Sequence, residues 1–149
     1  MEDGVEKSYT DLLVWQKSRA LVSAIYELTK AFPKEELFGL SNQMRRAAVS
    51  VPSNIAEGCG RQHARDTLQF LFVARGSLYE IETQCYLAGD QHYISTEQLN
   101  SILSSVQACK KLLQGFIRYY RTIVSPSQAH ENEALYLTDN RQLTTDNSL

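Results

Sequence analysis

The sequence predicts an all-α fold, an antiparallel up-down four-helix bundle, and three observations lead to this prediction. Apolar residues recur at alternating steps of three and four in four separate stretches of the chain. No stretch shows the period-two alternation of a β-strand. The connections between the stretches are short, and short connections join antiparallel neighbours. We therefore expect an N-terminal extension over residues 1–9, the bundle over 10–124 and a polar, disordered tail over 125–149.

The first two predicted helices each present one apolar stripe and end at a helix-breaking residue. Thr10 is the expected N-cap of the first helix, and Pro33 ends it because the residue before a proline is pushed away from helical angles. The second helix is expected to begin near Glu35 and to stop at Gly58 and Gly60. The stripes comprise Val14, Ser18, Leu21, Ile25, Leu28 and Phe32 in the first helix, and Leu37, Leu40, Met44, Ala47, Val51 and Ile55 in the second.

The third predicted helix, from about Ala64 to Ala88, carries two adjoining apolar stripes, as expected for a helix that touches neighbours on more than one side. The fourth begins with a capping box, in which Ser95 and Gln98 satisfy each other's backbone N–H groups. The stripes comprise Leu68, Leu71, Leu78 and Cys85, with Phe70, Ala74, Ser77 and Ile81 beside them, in the third helix, and Leu99, Ile102, Val106, Cys109, Leu113, Phe116, Tyr120 and Ile123 in the fourth.

Pro52 lies inside the second predicted helix. It removes one backbone donor, and its ring crowds the carbonyl group of Ala48. In a helix interior this costs about 3 kcal/mol. The apolar phase is nevertheless kept from Val51 to Ile55. We therefore expect the helix to continue through a kink at Pro52; the alternative is a helix that breaks and restarts there.

Composition and charge are those of an ordinary globular protein. Hydrophobic residues make up 43% of the chain and charged residues 21%, and no apolar run approaches the roughly 20 residues that span a bilayer. The polar, acidic start of the chain lacks the features of a signal peptide, so we expect a cytoplasmic protein with no membrane partner. Residues 11–123 carry a net charge of +3 between acidic ends, which alone does not indicate a nucleic-acid binder.

The cysteine and histidine patterns argue against a metal site, a cofactor or a catalytic residue. The cysteines are Cys59, Cys85 and Cys109, and the histidines are His63, His92 and His130. Cysteines at such wide spacing are typical of reduced, buried thiols, and the histidines are expected to face solvent. No glutamate is followed by a histidine three residues later, as a di-iron site inside a helical bundle requires.

Three long blocks of the sequence follow a recognisable pattern. They read DLLVWQKSRALV from Asp11, QMRRAAVSVPSNIAEGCGR from Gln43, and FLFVARGSLYEIETQ from Phe70. Together they resemble the 23S rRNA intervening-sequence protein family, also called the four-helix-bundle protein family, over roughly residues 9 to 122. The resemblance implies a bundle that assembles into a ring, usually a homopentamer, without known catalytic activity. Cys59 stands where the family commonly has an aromatic residue, and the tail after Val124 has no counterpart in the pattern.

Charged residues on or beside the apolar stripes have two interpretations. The first is a structural network in which arginines and glutamates of the second and third helices pair and fix the helix register. Its candidates are Arg46, Asn54, Glu57, Arg75 and Glu82. The second is a basic surface for the phosphates of nucleic acid, with the candidates Arg45, Arg46, Arg61, Arg65, Arg75, Lys110 and Lys111. For Lys110 and Lys111 an ordinary solvated face is the alternative, and Trp15 is expected in the core or at a subunit contact.

Two functional hypotheses follow, and an enzyme is the poorest alternative to both. The first is a non-catalytic, ring-forming oligomer that acts as an interaction scaffold and binds RNA or DNA through its arginine-rich surface. The second is a protein-only accessory module that binds another polypeptide through its surface and tail, without contact to nucleic acid. Further copies of the chain are expected partners, and the homopentamer is the expected assembly.

Overall fold

The computed structural model describes residues 8–124, which form four α-helices and two short 3-10 helices. The α-helices are α1, Leu13–Thr29; α2, Leu40–Cys59; α3, Ala64–Asp90; and α4, Thr96–Ile123. The 3-10 helices are Tyr9–Asp11 and Lys34–Glu36, and the described range contains no β-strand. The predicted tail, residues 125–149, and most of the predicted extension lie outside this range, so the domain boundaries stay predictions.

The four helices form a closed ring of neighbours around one core. α1 packs against α2, α2 against α3, α3 against α4, and α4 returns to α1, whereas within residues 8–124 the backbones of the diagonal pairs stay farther apart. The longest connection covers residues 30–39, and the other two cover 60–63 and 91–95. Connections this short turn each helix back along the preceding one. The predicted all-α four-helix bundle is confirmed.

The predicted stripes supply most of the core. Buried stripe residues include Leu21, Ile25, Met44, Ile55, Leu68, Leu78, Val106 and Leu113. Leu37 and Ile123 are exposed because Leu37 precedes α2 and Ile123 is the last residue of α4. Thr29 is buried beside the half-buried Leu28, and its hydroxyl donates to the carbonyl oxygen of Ile25 at 2.8 Å. This hydrogen bond satisfies a polar side chain inside an apolar face.

Both predictions for the starts of the first two helices are wrong. Thr10 does not cap α1, which begins at Leu13 after Leu12 without a side-chain capping bond. The Ser8 hydroxyl instead accepts from the backbone N–H of Thr10 and caps the 3-10 turn that precedes α1. Likewise, Glu35 lies in a separate 3-10 helix, and α2 begins at Leu40. The carboxylate of Glu36 accepts from the N–H of Leu40 at 2.7 Å, which satisfies one of the unpaired donors of the first turn of α2.

The predicted continuity of α2 through Pro52 and the predicted capping box of α4 are confirmed. α2 runs without interruption from Leu40 to Cys59 with Pro52 in its interior, so the helix continues through the proline. The bend at Pro52 stays a prediction. At the start of α4 the Ser95 hydroxyl accepts from the Gln98 N–H at 3.1 Å, and the Gln98 side chain accepts from the Ser95 N–H at 2.9 Å. These two bonds form the predicted capping box.

Candidate functional site

The residues predicted to bind nucleic acid are distributed over three regions of the bundle. Arg61 lies in the connection between α2 and α3 and Arg65 in the first turn of α3, at the end of the bundle where α1 begins and α4 ends. Arg45 and Arg46 lie near the opposite end of α2, about 24 Å along the helix axis from Arg61 at 1.5 Å per residue. The remaining three, Arg75, Lys110 and Lys111, lie in the middle of α3 and α4. The structure does not bring the seven together.

Arg45 is engaged within the bundle, whereas its neighbour is open to solvent. The Nε atom of Arg45 donates to the Thr29 hydroxyl of α1 at 2.9 Å, and its guanidinium lies 4.8 Å from the ring centroid of Tyr26. Both contacts fix α2 against α1. Arg46 is exposed. Of this pair, Arg46 has the side chain that is free to meet a partner.

Lys110 is also held by other side chains. Its ammonium lies 2.6 Å from a carboxylate oxygen of Glu82 and 3.9 Å from the ring centroid of Tyr79. Gln107 donates to the same Glu82 oxygen at 3.1 Å. These contacts join α4 to α3 across a partly buried seam. Lys111, one residue on, is exposed.

The residues of the predicted structural network make contacts in several parts of the bundle. Arg46 and Glu57 are exposed near the two ends of α2, and Glu82 pairs with Lys110 of α4. The guanidinium of Arg75 lies 5.0 Å from the ring centroid of Phe72. Asn54 donates from Nδ2 to the carbonyl oxygen and the hydroxyl of a serine on its own helix, Ser50, at 2.7 and 2.9 Å.

Three adjoining depressions with both apolar and polar walls follow the outer face that α1 and α2 share, and we name them together the α1/α2 groove. Its walls include Trp15, Val22 and Tyr26 of α1, Val49, Pro52 and Ala56 of α2, and Phe38 from the connection between the helices. The part beside Phe38 has a volume of about 680 Å³. Phe38 is 89% exposed, more than any other large apolar side chain in residues 8–124. Aromatic surface on this scale is typical of a contact site.

The family comparison decides which class of protein carries these surfaces. The model described as 23S rRNA-intervening sequence protein matches residues 10–115. The chain belongs to this family. It is similar to a crystal structure of a protein with unknown function from the S23 ribosomal protein family of Bacteroides thetaiotaomicron, at 27% identity and a TM-score of 0.66. That match covers 71% of this chain and 96% of the other. No curated protein matches.

This member of the 23S rRNA-intervening sequence protein family shows no assembled catalytic centre within its described residues. Burial raises the pKa of all three thiols, most strongly that of Cys85, to about 12, with the charge of Glu82 adding to the shift. A thiol with a raised pKa is a poor nucleophile at neutral pH. His63 and His92 are exposed as predicted, and His130 lies outside the described residues. Residues 8–124 hold no cluster of three potential metal ligands and no helix long and apolar enough to cross a membrane.

The α1/α2 groove is the feature that the stripe analysis missed. The prediction followed one buried stripe along each of the first two helices, and the groove is formed by the adjoining positions. Val22 and Tyr26, four residues apart on α1, and Val49 and Pro52 on α2 form a second pair of apolar rows. The signal for these rows in the sequence is a second apolar stripe beside the first, like the one on α3. Trp15, predicted at the core or a subunit contact, packs half-buried against the core and lines the groove.

Proposed function

We propose that this protein is a non-catalytic subunit of a ring-shaped homo-oligomer, and that the ring acts as an interaction scaffold. The α1/α2 groove is the observation that carries the proposal. Its aromatic and aliphatic walls are rimmed by polar side chains such as Arg45 and Arg46, and exposed apolar surface with a polar rim marks interaction sites. The family resemblance favours a ring of five subunits.

A second copy of this chain is the partner that we assign to the groove. Phe38 projects from the surface next to the widest part of the groove, as an apolar anchor at the centre of an interface does. Arg45 and Arg46 border that part, and arginine is enriched at protein interfaces. A ring needs two different patches on each subunit, and the groove provides one of them.

The test measures the mass of the full chain in solution by size-exclusion chromatography with light scattering. We expect about five times the chain mass of 16.9 kDa. Val49 is exposed in the groove, and Val49→Asp is expected to shift the protein to smaller species because it places a charge in the interface. Ile123→Asp is the control: it adds the same charge at an exposed apolar residue on α4.

Each outcome of this measurement decides one part of the proposal. A monomeric mass for the unmodified chain overturns the ring. Retention of the assembly by Val49→Asp, or its loss in both variants, overturns the assignment of the groove as the interface. Thermal unfolding of each variant, followed by circular dichroism, separates loss of assembly from loss of fold.

The two functional hypotheses differ in the partner that the ring binds. The first assigns nucleic acid to the arginine-rich surface, and the exposed Arg46, Arg61, Arg65 and Lys111 support it. The second assigns another polypeptide. A titration of labelled RNA and DNA at low salt separates them, because electrostatic contact with phosphates is strongest there.

A further inference from the structure

Charge is unevenly distributed along the bundle axis. We name the end where α1 and α3 begin and α2 and α4 end the basic end. Within about two helical turns of it lie six cationic side chains against three carboxylates. The cations are Lys17, Arg19, Arg61, Arg65, Arg118 and Arg121, and the acids are Asp11, Glu57 and Asp66.

The opposite end has the reverse balance. Within the same distance of it lie Lys30, Lys34, Arg45 and Arg46, and against them Glu27, Glu35, Glu36, Asp90 and Glu97. The excess of positive charge on the bundle is therefore concentrated at the basic end. An axial separation of charge directs an anionic partner to one end of each subunit.

Three arginines at the basic end are available to such a partner. Arg61, Arg65 and Arg118 are exposed, and none of them forms an ion pair with a carboxylate in residues 8–124. The guanidinium of Arg61 lies 4.5 Å from the ring centroid of Phe70, so the side chain is held at the surface. Tyr119 is exposed next to Arg118 and offers an aromatic ring at the same end.

We propose that the basic end binds the phosphate backbone of nucleic acid. Planar guanidinium groups that lack a carboxylate partner suit phosphate oxygens, and an exposed aromatic ring beside them suits an unpaired base. The inference rests on the proposed ring, because the positive excess of one subunit is small. A ring that presents the same end of every subunit on one side repeats the charge, and binding becomes multivalent.

The acidic residues of the chain's own C-terminal segment are the competing partner. α4 ends at the basic end, and residues 125–149 continue from there with four acidic side chains against one arginine. The acids are Glu131, Glu133, Asp139 and Asp146. A tethered segment of opposite charge competes at high effective concentration with a free ligand. The experiment therefore includes a full-length variant in which these four residues are changed to Gln or Asn.

The test is a fluorescence-anisotropy titration of the full-length protein with a labelled 20-nucleotide RNA hairpin and a labelled DNA duplex, between 50 and 200 mM salt. Arg61→Glu/Arg65→Glu is expected to weaken binding by about tenfold or more and to lower the salt slope by about two. The matched control, Lys34→Glu/Asn100→Asp/Ser101→Asp, makes the same change of four charges at exposed positions of the opposite end and is expected to keep the affinity within about twofold.

The outcomes distinguish this inference from the proposed ring. Equal loss of binding in the two charge variants overturns the basic end as the site, because net charge alone then explains the loss. Absence of binding in the unmodified chain at 50 mM salt overturns the inference, and binding gained only by the tail variant assigns the surface to the acidic segment. Light scattering on the same samples shows whether the assembly persists, so a failed ring is not mistaken for a failed binding site.

Discussion

Ser77 of α3 donates a hydrogen bond from its hydroxyl to the hydroxyl of Ser50 on α2 at 2.9 Å. Ser50 lies two residues before Pro52. Asn54, two residues after the proline, donates its amide to the same hydroxyl and to the Ser50 carbonyl oxygen. Ser50 thus accepts one bond from α3 and, from across the position where α2 lacks a backbone donor, bonds from Asn54 of its own helix. The S-x-P-x-N block therefore ties α2 to α3 at its proline.

Replacement of Ser50 by alanine tests this connection. Ser50→Ala removes the acceptor of the Ser77 hydroxyl in a partly buried place, whereas the Asn54 amide keeps its bond to the backbone carbonyl oxygen of residue 50. We expect the free energy of unfolding to fall by about 1–2 kcal/mol. Urea unfolding followed by circular dichroism measures it. Ser53→Ala, at an exposed position of the same helix, is expected to change the value by less than about 0.5 kcal/mol. Equal effects of the two substitutions would contradict the role of Ser50.

The helices themselves could be predicted because burial repeats along one helix. The repeat of three and four residues that includes Leu21, Met44 and Val106 depends only on spacing along the chain, and each of these residues is buried. The helix starts could not be predicted as well. They depend on local hydrogen bonds outside the apolar repeat: the Ser8 hydroxyl caps a 3-10 turn before α1, and the Glu36 carboxylate accepts from the N–H of Leu40 in the first turn of α2.

The pair formed by Glu82 and Lys110 is expected to stabilise the seam between α3 and α4. Their side chains are only 23% and 14% exposed, so Glu82→Gln leaves a partly buried ammonium without its counter-charge. We expect a loss of about 1–3 kcal/mol in the free energy of unfolding. Glu27→Gln breaks the pair with Lys30, whose side chains are more than two thirds exposed, and is expected to cost less than about 0.5 kcal/mol.

Measurement of both variants at 0.1 and 1 M sodium chloride adds a second criterion. Salt screens exposed charges more strongly than partly buried ones, so most of the effect of Glu82→Gln is expected to persist at high salt. A loss in Glu82→Gln no larger than in Glu27→Gln would show that the seam does not depend on this pair.

The candidate surfaces were harder to predict than the core because they depend on how the helices are rotated against one another. Spacing along α3 places Glu82 on a seam, yet only the packing of α4 shows that Lys110 is its partner. Similarly, the sequence separates Phe38 from Trp15 by more than a helix, and the antiparallel arrangement places both along one groove. For the same reason, the sequence did not show which of the predicted basic residues are exposed and which are held by other side chains of the bundle.

Gly58 is expected to be required for the close approach of α2 to α3. A Cβ atom at this position would lie 3.1 Å from the Cβ atom of Phe70 and 3.2 Å from the carbonyl oxygen of Thr67. Neither atom is the end of a flexible side chain, so α3 would have to move, which would also strain the 2.7 Å hydrogen bond from the Thr67 hydroxyl to the Gly58 carbonyl oxygen. Gly58→Ala is therefore expected to lose about 1–3 kcal/mol of stability.

Gly115 provides the matched control for this substitution. It lies within α4, and a Cβ atom there meets nothing within 4 Å. Gly115→Ala is expected to raise the free energy of unfolding by about 0.5–1 kcal/mol, because alanine loses less backbone entropy in a helix. Opposite signs in the two variants would confirm that packing, not helix propensity, determines the residue at position 58. A gain in both would contradict it.

Stability is expected to fall at alkaline pH because of the buried thiol of Cys85. Burial, and then the charge of Glu82, raises its pKa from the ordinary value of 9.0 to about 12 in the folded state. Above pH 9 the unfolded chain loses this proton and the folded chain keeps it, so the free energy of unfolding decreases as pH rises from 9 towards 12. Below pH 9 the group has no effect on the slope. Urea unfolding at pH 7.5 and pH 10, with reductant present, measures the decrease.

Cys85→Ala removes the titrating group and is expected to make the decrease between these two pH values smaller by about 1 kcal/mol. The comparison within each variant cancels the constant cost of the smaller side chain. Cys59→Ala is the control. Burial raises the pKa of Cys59 as well, but this thiol is only half-buried. We expect its pH dependence to lie closer to that of the unmodified chain. An unchanged pH dependence in Cys85→Ala would show that other groups, such as the partly buried Tyr120, whose pKa is also raised, cause the alkaline loss.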